Sequence, residues 1–207
     1  MNIADVETGL IRPSMKERQR QLREDAILDA AVEFIQTKGF NAMTLEDITE
    51  AIGISRPTLY QHFSSKEDVL IHVGIRNLKY AAEQLAAMDP AMSATDRLCL
   101  FMGWCIDRKF GEHREMFYDM TRLVMSCGND PRYAGPQGAF IKKLEELVSL
   151  AQAEGGVRSD VSATILSEVI LGAMKSLTFN RLVQEGKTSP AEIKDGLTKL
   201  LFCSKAA

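Results

Sequence analysis

Between Ser55 and Glu67 the sequence reads Ser-Arg-Pro-Thr-Leu-Tyr-Gln-His-Phe-Ser-Ser-Lys-Glu. Arg56, Thr58, Tyr60, Gln61 and His62 crowd hydrogen-bonding groups into about two helical turns, and no carboxylate interrupts them. With Leu59 and Phe63 turned inward, Arg56, Pro57, Thr58, Tyr60, Gln61 and His62 face outward. Such a surface suits the major groove of a duplex. An arginine can fork onto guanine O6 and N7, a glutamine can pair with adenine N6 and N7, and a proline ring or threonine methyl can meet a thymine methyl. Lys66 and Thr44 stand at helix starts, where free N–H groups and the positive dipole end attract phosphate.

The flanking residues predict the elements that present this face. Thr44, with Asp47 three residues on, caps a short helix over 45–52 whose Leu45, Ile48 and Ile52 point inward. Gly53 supplies the positive φ of a tight turn, Ile54 plugs the interface, and Ser55 caps a third helix over 56–63. Two short helices joined by such a turn make a helix-turn-helix. Before them, Ile27, Ala30, Ala31, Phe34 and Ile35 form one stripe of a helix over about 20–38, stopped by Gly39. After them, Ser65 and Asp68 start a long helix that ends at Asp89-Pro90. Further helices are expected at about 94–111, 113–127, 136–154, 160–186 and 189–203. The fold class is therefore all-α, with about nine helices.

The run Thr44-Leu45-Glu46-Asp47-Ile48 followed by Gly53 to Glu67 resembles the signature of TetR-type helix-turn-helix transcriptional regulators. That resemblance covers the N-terminal third. It implies that Thr44, Tyr60, His62 and Lys66 hold phosphates while Arg56, Pro57, Thr58 and Gln61 lie against base edges. It also implies three regions: a flexible basic arm at 1–19, a DNA-binding domain at 20–80, and a helical effector-binding and dimerisation domain at 81–207. Operator DNA, a second copy of the chain and a small-molecule effector are the partners it implies, and repression is the direction.

Charge speaks less clearly. Residues 12–23 carry five bases, Arg12, Lys16, Arg18, Arg20 and Arg23, against the single acid Glu17. Over 12–80, however, ten bases meet ten acids, so no strong basic patch follows from the count.

In the larger region, the helix over 160–186 is apolar around most of its girth, which calls for burial on two sides. Ile165, Val169, Ile170 and Ala173, with Leu197, Leu200 and Leu201 of the last helix, are the expected dimer interface. Phe101, Trp104, Cys105, Phe117, Met120, Phe140 and Met174 make an apolar, sulfur-rich interior, the expected pocket for an apolar or aromatic effector. Effector binding would move the helix after Ser65 and change the spacing of the two recognition helices. Complete switching of that kind takes about 5.5 kcal/mol of differential affinity.

No enzyme is expected, because His62, His72 and His113 lack nucleophile or metal partners and no Gly-rich phosphate loop occurs. No cofactor or metal is expected either. Cys99, Cys105, Cys127 and Cys203 lack metal-binding spacing and read as reduced and mostly buried. Two alternatives stay open: a redox-sensing regulator using Cys127 near Arg122 or Arg132, and an architectural DNA-binding protein without an effector. No apolar run is long enough for a membrane helix and no signal-peptide pattern occurs, so a cytoplasmic protein is expected.

Overall fold

The computed structural model describes residues 14–111 and 130–203. Nine helices are found among the described residues: α1 (Met15–Lys38), α2 (Leu45–Ile52), α3 (Arg56–Tyr60), α4 (Lys66–Ala86), α5 (Ala94–Phe110), α6 (Pro131–Ala153), α7 (Ala163–Lys175), α8 (Leu177–Gln184) and α9 (Pro190–Leu201). The helix expected at 113–127 lies outside the described residues.

Local signals decide most of the boundaries. Thr44 caps α2 in a reciprocal box with Asp47, Gly53 adopts φ 68° and ψ 35° to end it, and Ser55 accepts a bond from the Thr58 N–H to start α3. Four boundaries differ from the sequence expectation. Ser14 and Glu17 form their own capping box, so α1 begins at Met15 rather than near Arg20, and Lys16, Arg18, Arg20 and Arg23 lie exposed along it. Helix α3 ends at Tyr60, because Gln61 and His62 close a tight turn instead of continuing to Phe63. Helix α6 starts at Pro131, whose missing N–H is one of the unpaired donors of a first turn anyway, with Asp130 as cap.

The fourth difference is a break in the long apolar helix. Ser176 leaves the helical region at ψ 110° and caps α8, splitting 160–186 into α7 and α8. The break leaves the Met174 carbonyl near a helix end, where it accepts a 2.8 Å bond from the Lys109 ammonium. Lys109 is 1% exposed, and burial pushes its pKa down to about 8.

Two cores result. Ile27, Ala31, Ile35, Ile48, Leu59 and Phe63 close the N-terminal head, and Leu98, Phe101, Ile106, Leu144, Ile170 and Leu197 belong to the second core. Helix α4 serves both: Val69, Leu70 and Val73 pack into the first, Leu78, Ala81 and Leu85 against the second. Its contact with α6 is the most extensive between any two described helices. At the far end of the larger core, Gly156 packs so closely on the Thr95 side chain that a Cβ would overlap it. Next to it, Glu154 accepts bonds from the Ala94 and Thr95 N–H groups and the Thr95 hydroxyl, at 2.8, 3.0 and 2.8 Å, capping α5 from a distant segment.

Candidate nucleic-acid interface

Helix α3 is held from below by two side chains, Leu59 at 0% and Phe63 at 2% exposure. The Phe63 ring meets His72 edge-on at 5.1 Å. On the outer side Arg56, Pro57, Tyr60 and Gln61 are exposed and Thr58 is half-buried, its hydroxyl 2.8 Å from that of Ser55. Five of the eight expected DNA contacts thus share one short helix and its exit, without a carboxylate in the helix itself.

The other three are engaged by the protein's own groups. Thr44 is exposed, but its hydroxyl donates to Asp47 at 2.7 Å and accepts from the Asp47 N–H. The Lys66 ammonium reaches back to the carbonyls of Phe40 and Asn41, both at 3.4 Å, and stands 4.7 Å from the centre of the Phe40 ring. His62 departs from expectation: its side chain is only 5% exposed and its Nδ1 lies 3.1 Å from Glu24 of α1. The turn after Tyr60 carries the ring inward, so His62 braces α3 against α1 instead of presenting itself to a phosphate.

Three of the acids in the balanced charge count are paired inside the head. Asp47 is 2.6 Å from Lys38, Asp29 is 2.7 Å from Arg76, and Glu24 holds both Arg20 and His62. The bond from Lys38, with those from Thr44, brings the Asp47 carboxyl down to about 2. Burial alone would raise the Glu24 carboxyl, yet the bonds from His62 and Arg20 outweigh it and leave the pKa lowered. These acids are tied to neighbours within the head and do not interrupt α3. One acid does touch the recognition face: Glu46 of α2 pairs with Arg56 at 3.0 Å. Sequence reasoning passed over it, although its place in the first turn of α2 could have suggested it.

In the second core, Phe101, Phe140 and Met174 are buried together with Trp104 and Cys105 packed against them, whereas Phe117 and Met120 lie outside the described residues. Phe101 stacks on Trp104 at 5.7 Å and tilts against Phe140 at 6.1 Å. Burial pushes the Cys105 thiol up to about 12, the reverse of a reactive cysteine. Cys203 is exposed rather than buried, Cys99 is half-buried, and Cys127 lies outside the described residues. Of the expected interface residues, Ile165, Val169 and Leu200 are 57%, 46% and 64% exposed. Ile170, Leu197 and Leu201 instead fill the chain's own core, because they occupy the inner stripe of α7 and α9, and Ala173 is half-buried. Among the described residues no group of His, Cys, Asp and Glu is placed to hold a metal, and no helix is long and apolar enough to cross a membrane.

An exposed, donor-rich second helix on a three-helix head defines the helix-turn-helix class of DNA-binding proteins. Residues 27–73 match the family described as bacterial regulatory proteins, tetR family. That match spans the chain's helix-turn-helix, which is similar to the family's. An uncharacterised HTH-type transcriptional regulator of Mycobacterium tuberculosis is 27% identical over 123 residues, 59% of this chain and 56% of the relative. The HTH-type transcriptional regulator EthR of Mycolicibacterium smegmatis is 47% identical over 49 residues, 24% of this chain and 23% of EthR. The chain therefore aligns with about half of the first of these relatives and about a quarter of the second. Both are described as HTH-type transcriptional regulators. The whole fold is similar to that of the fatty acid degradation regulator FadR from Bacillus halodurans, with a TM-score of 0.68, 19% identity, and coverage of 89% of this chain and 96% of that one.

Proposed function

We propose that this chain is a homodimeric, sequence-specific DNA-binding repressor of the cytoplasm whose larger domain binds a small apolar or aromatic effector. The observation that carries it is the outward face of α3. Arg56, Pro57, Tyr60 and Gln61 stand exposed on a helix fixed by Leu59 and Phe63, at the register of a family of transcriptional regulators. A groove-reading helix needs a rigid base and exposed tips, and the buried Leu59 and Phe63 beneath exposed Arg56, Tyr60 and Gln61 support that role for α3. On the operator, Arg56 would exchange Glu46 for a guanine edge, and the neutralised phosphates would make binding steeply salt-dependent.

The dimer reading is supported by Ile165, Val169 and Leu200, large apolar side chains left exposed on α7 and α9. Pairing with a second copy would bury them and set two recognition helices on successive half-sites. The aromatic and sulfur-rich interior around Phe101, Trp104 and Met174 supports an apolar effector.

Footprinting on the DNA upstream of the chain's own gene, combined with a salt titration, tests the reading. A protected near-palindrome with half-sites one helical turn or a multiple apart is expected. Weak binding indifferent to sequence would overturn it. Tyr60→Ala is expected to weaken binding to all duplexes alike, whereas Arg56→Ala relaxes preference at one base pair by about 1 to 3 kcal/mol. Ile165→Glu with Leu200→Glu should shift the protein from dimer to monomer in sedimentation velocity while leaving its helical content intact. An unchanged dimer would place the interface elsewhere.

A further inference from the structure

One carboxylate joins the recognition helix to the larger domain. Asp68 stands in the first turn of α4 and is 7% exposed. Its Oδ2 accepts from the Ser64 N–H at 2.8 Å and from the Ser64 hydroxyl at 2.9 Å, immediately after the buried Phe63 that anchors α3. Its Oδ1 accepts from Arg132 Nη1 at 2.6 Å, across 64 residues of sequence. His72 Nδ1 lies 3.2 Å from the same oxygen while also facing the Asp68 carbonyl at 2.9 Å.

Arg132 is itself held in place. Its Nε and Nη2 grip Asp130 at 3.0 and 2.8 Å, and its backbone N–H donates to the same carboxylate, which caps α6. With two guanidinium nitrogens fixed on the cap, the direction of Nη1 follows the start of α6 as a rigid fork would. Any shift of that helix end is therefore felt at Asp68, and through Ser64 at the exit of α3. Burial alone would raise the Asp68 carboxyl, but the Ser64 bonds and the charges of His72 and Arg132 outweigh it, so the group stays ionised and able to hold both sides.

We propose that Arg132 is a positioning residue for DNA recognition: from the larger domain, through Asp68 and Ser64, it sets where the recognition helix leaves the head. This rests on the DNA-binding reading above. The pair Arg132–Asp68 belongs to an interface between domains, where two packed bodies can hold discrete arrangements, and a strut at that place selects one of them. Its role differs from that of Arg56 or Tyr60, since it touches no DNA and contributes no phosphate contact.

The test uses duplexes selected by the full-length wild-type protein from a randomised library, resynthesised with base pairs inserted singly between the half-sites over one helical turn. The wild type is expected to prefer one spacing. Arg132→Gln should lower affinity at that spacing roughly fivefold to thirtyfold and flatten the preference, with the salt slope unchanged. Exchange of the Ser64 amide in the free protein should quicken by a similar factor. Because Asp68→Asn loses the same link, adding Arg132→Gln to it should cost no further affinity. A variant that keeps the wild-type spacing profile, or that loses affinity equally at every spacing, overturns the positioning role while leaving the DNA-binding reading intact. A wild-type protein that selects no sequence from the library overturns the regulator reading itself, and the positioning role with it.

Discussion

Replacing Phe63 with alanine is expected to destabilise the protein by about 3 to 5 kcal/mol and to abolish operator binding at ordinary temperatures. The side chain is 2% exposed, lies in the cluster with Ile27, Ile48 and Leu59, and meets the edge of His72 at 5.1 Å. Removing it leaves a cavity under a helix of only five residues, which has too few backbone bonds to stay formed unsupported. Total stabilities of roughly 5 to 15 kcal/mol leave little margin for such a loss. Tyr60→Ala is the necessary contrast: the residue is 55% exposed, so stability should change by no more than about 0.5 kcal/mol while DNA affinity falls. Urea unfolding and DNA titration of both variants separate the two roles. A Phe63→Ala protein as stable as the wild type would show that α3 is anchored by something other than its buried exit residue.

The second large effect is a pH dependence. The Lys109 pKa falls from 10.5 to about 8 on folding, through burial. Below pH 8 both folded and unfolded chains carry the proton, and the cost of burying the charge is fully present. Between about 8 and 10.5 the folded protein has released the proton and the unfolded chain has not, so stability rises with pH across that window, by about 3 kcal/mol in all. Cys105 and Tyr133, both pushed up to about 12, work in the opposite direction at alkaline pH, so the wild type alone would blur the result. The stability difference between the wild type and Lys109→Met, measured by urea unfolding at fixed protein concentration, cancels those contributions. That difference should climb through the window. A difference independent of pH would mean that the Lys109 ammonium is as well stabilised inside as in water.

Lys109 and Arg132 mark where the molecule departs from a rigid pair of helical bundles. Lys109 holds a carbonyl at the break between α7 and α8, beside the core that contains Phe101 and Met174. Arg132 joins the start of α6 to Asp68 in the first turn of α4. An effector that repacked the core would act on the helices carrying both residues.

What the sequence determined by itself is local. Thr44 with Asp47, Gly53, and Ser55 with Thr58 fix the start, turn and second start of the helix-turn-helix through contacts three or four residues apart, which is why those boundaries are legible in the chain. The outward set of Arg56, Pro57, Tyr60 and Gln61 follows from the same helical period. Tertiary structure decided the rest. His62 turns inward because Glu24, 38 residues earlier, waits on α1. The Asp68 carboxylate joins Ser64 to Arg132, while the Ser65 hydroxyl accepts from the Asp68 N–H as the helix cap. Ile170 and Leu201 fill the core while Ile165 and Leu200 remain outside, because an apolar sequence says that a face is buried but not by whom. Local hydrogen bonds are written in spacing; the partners of buried charges and the choice between core and interface are written only in the packing of one element on another.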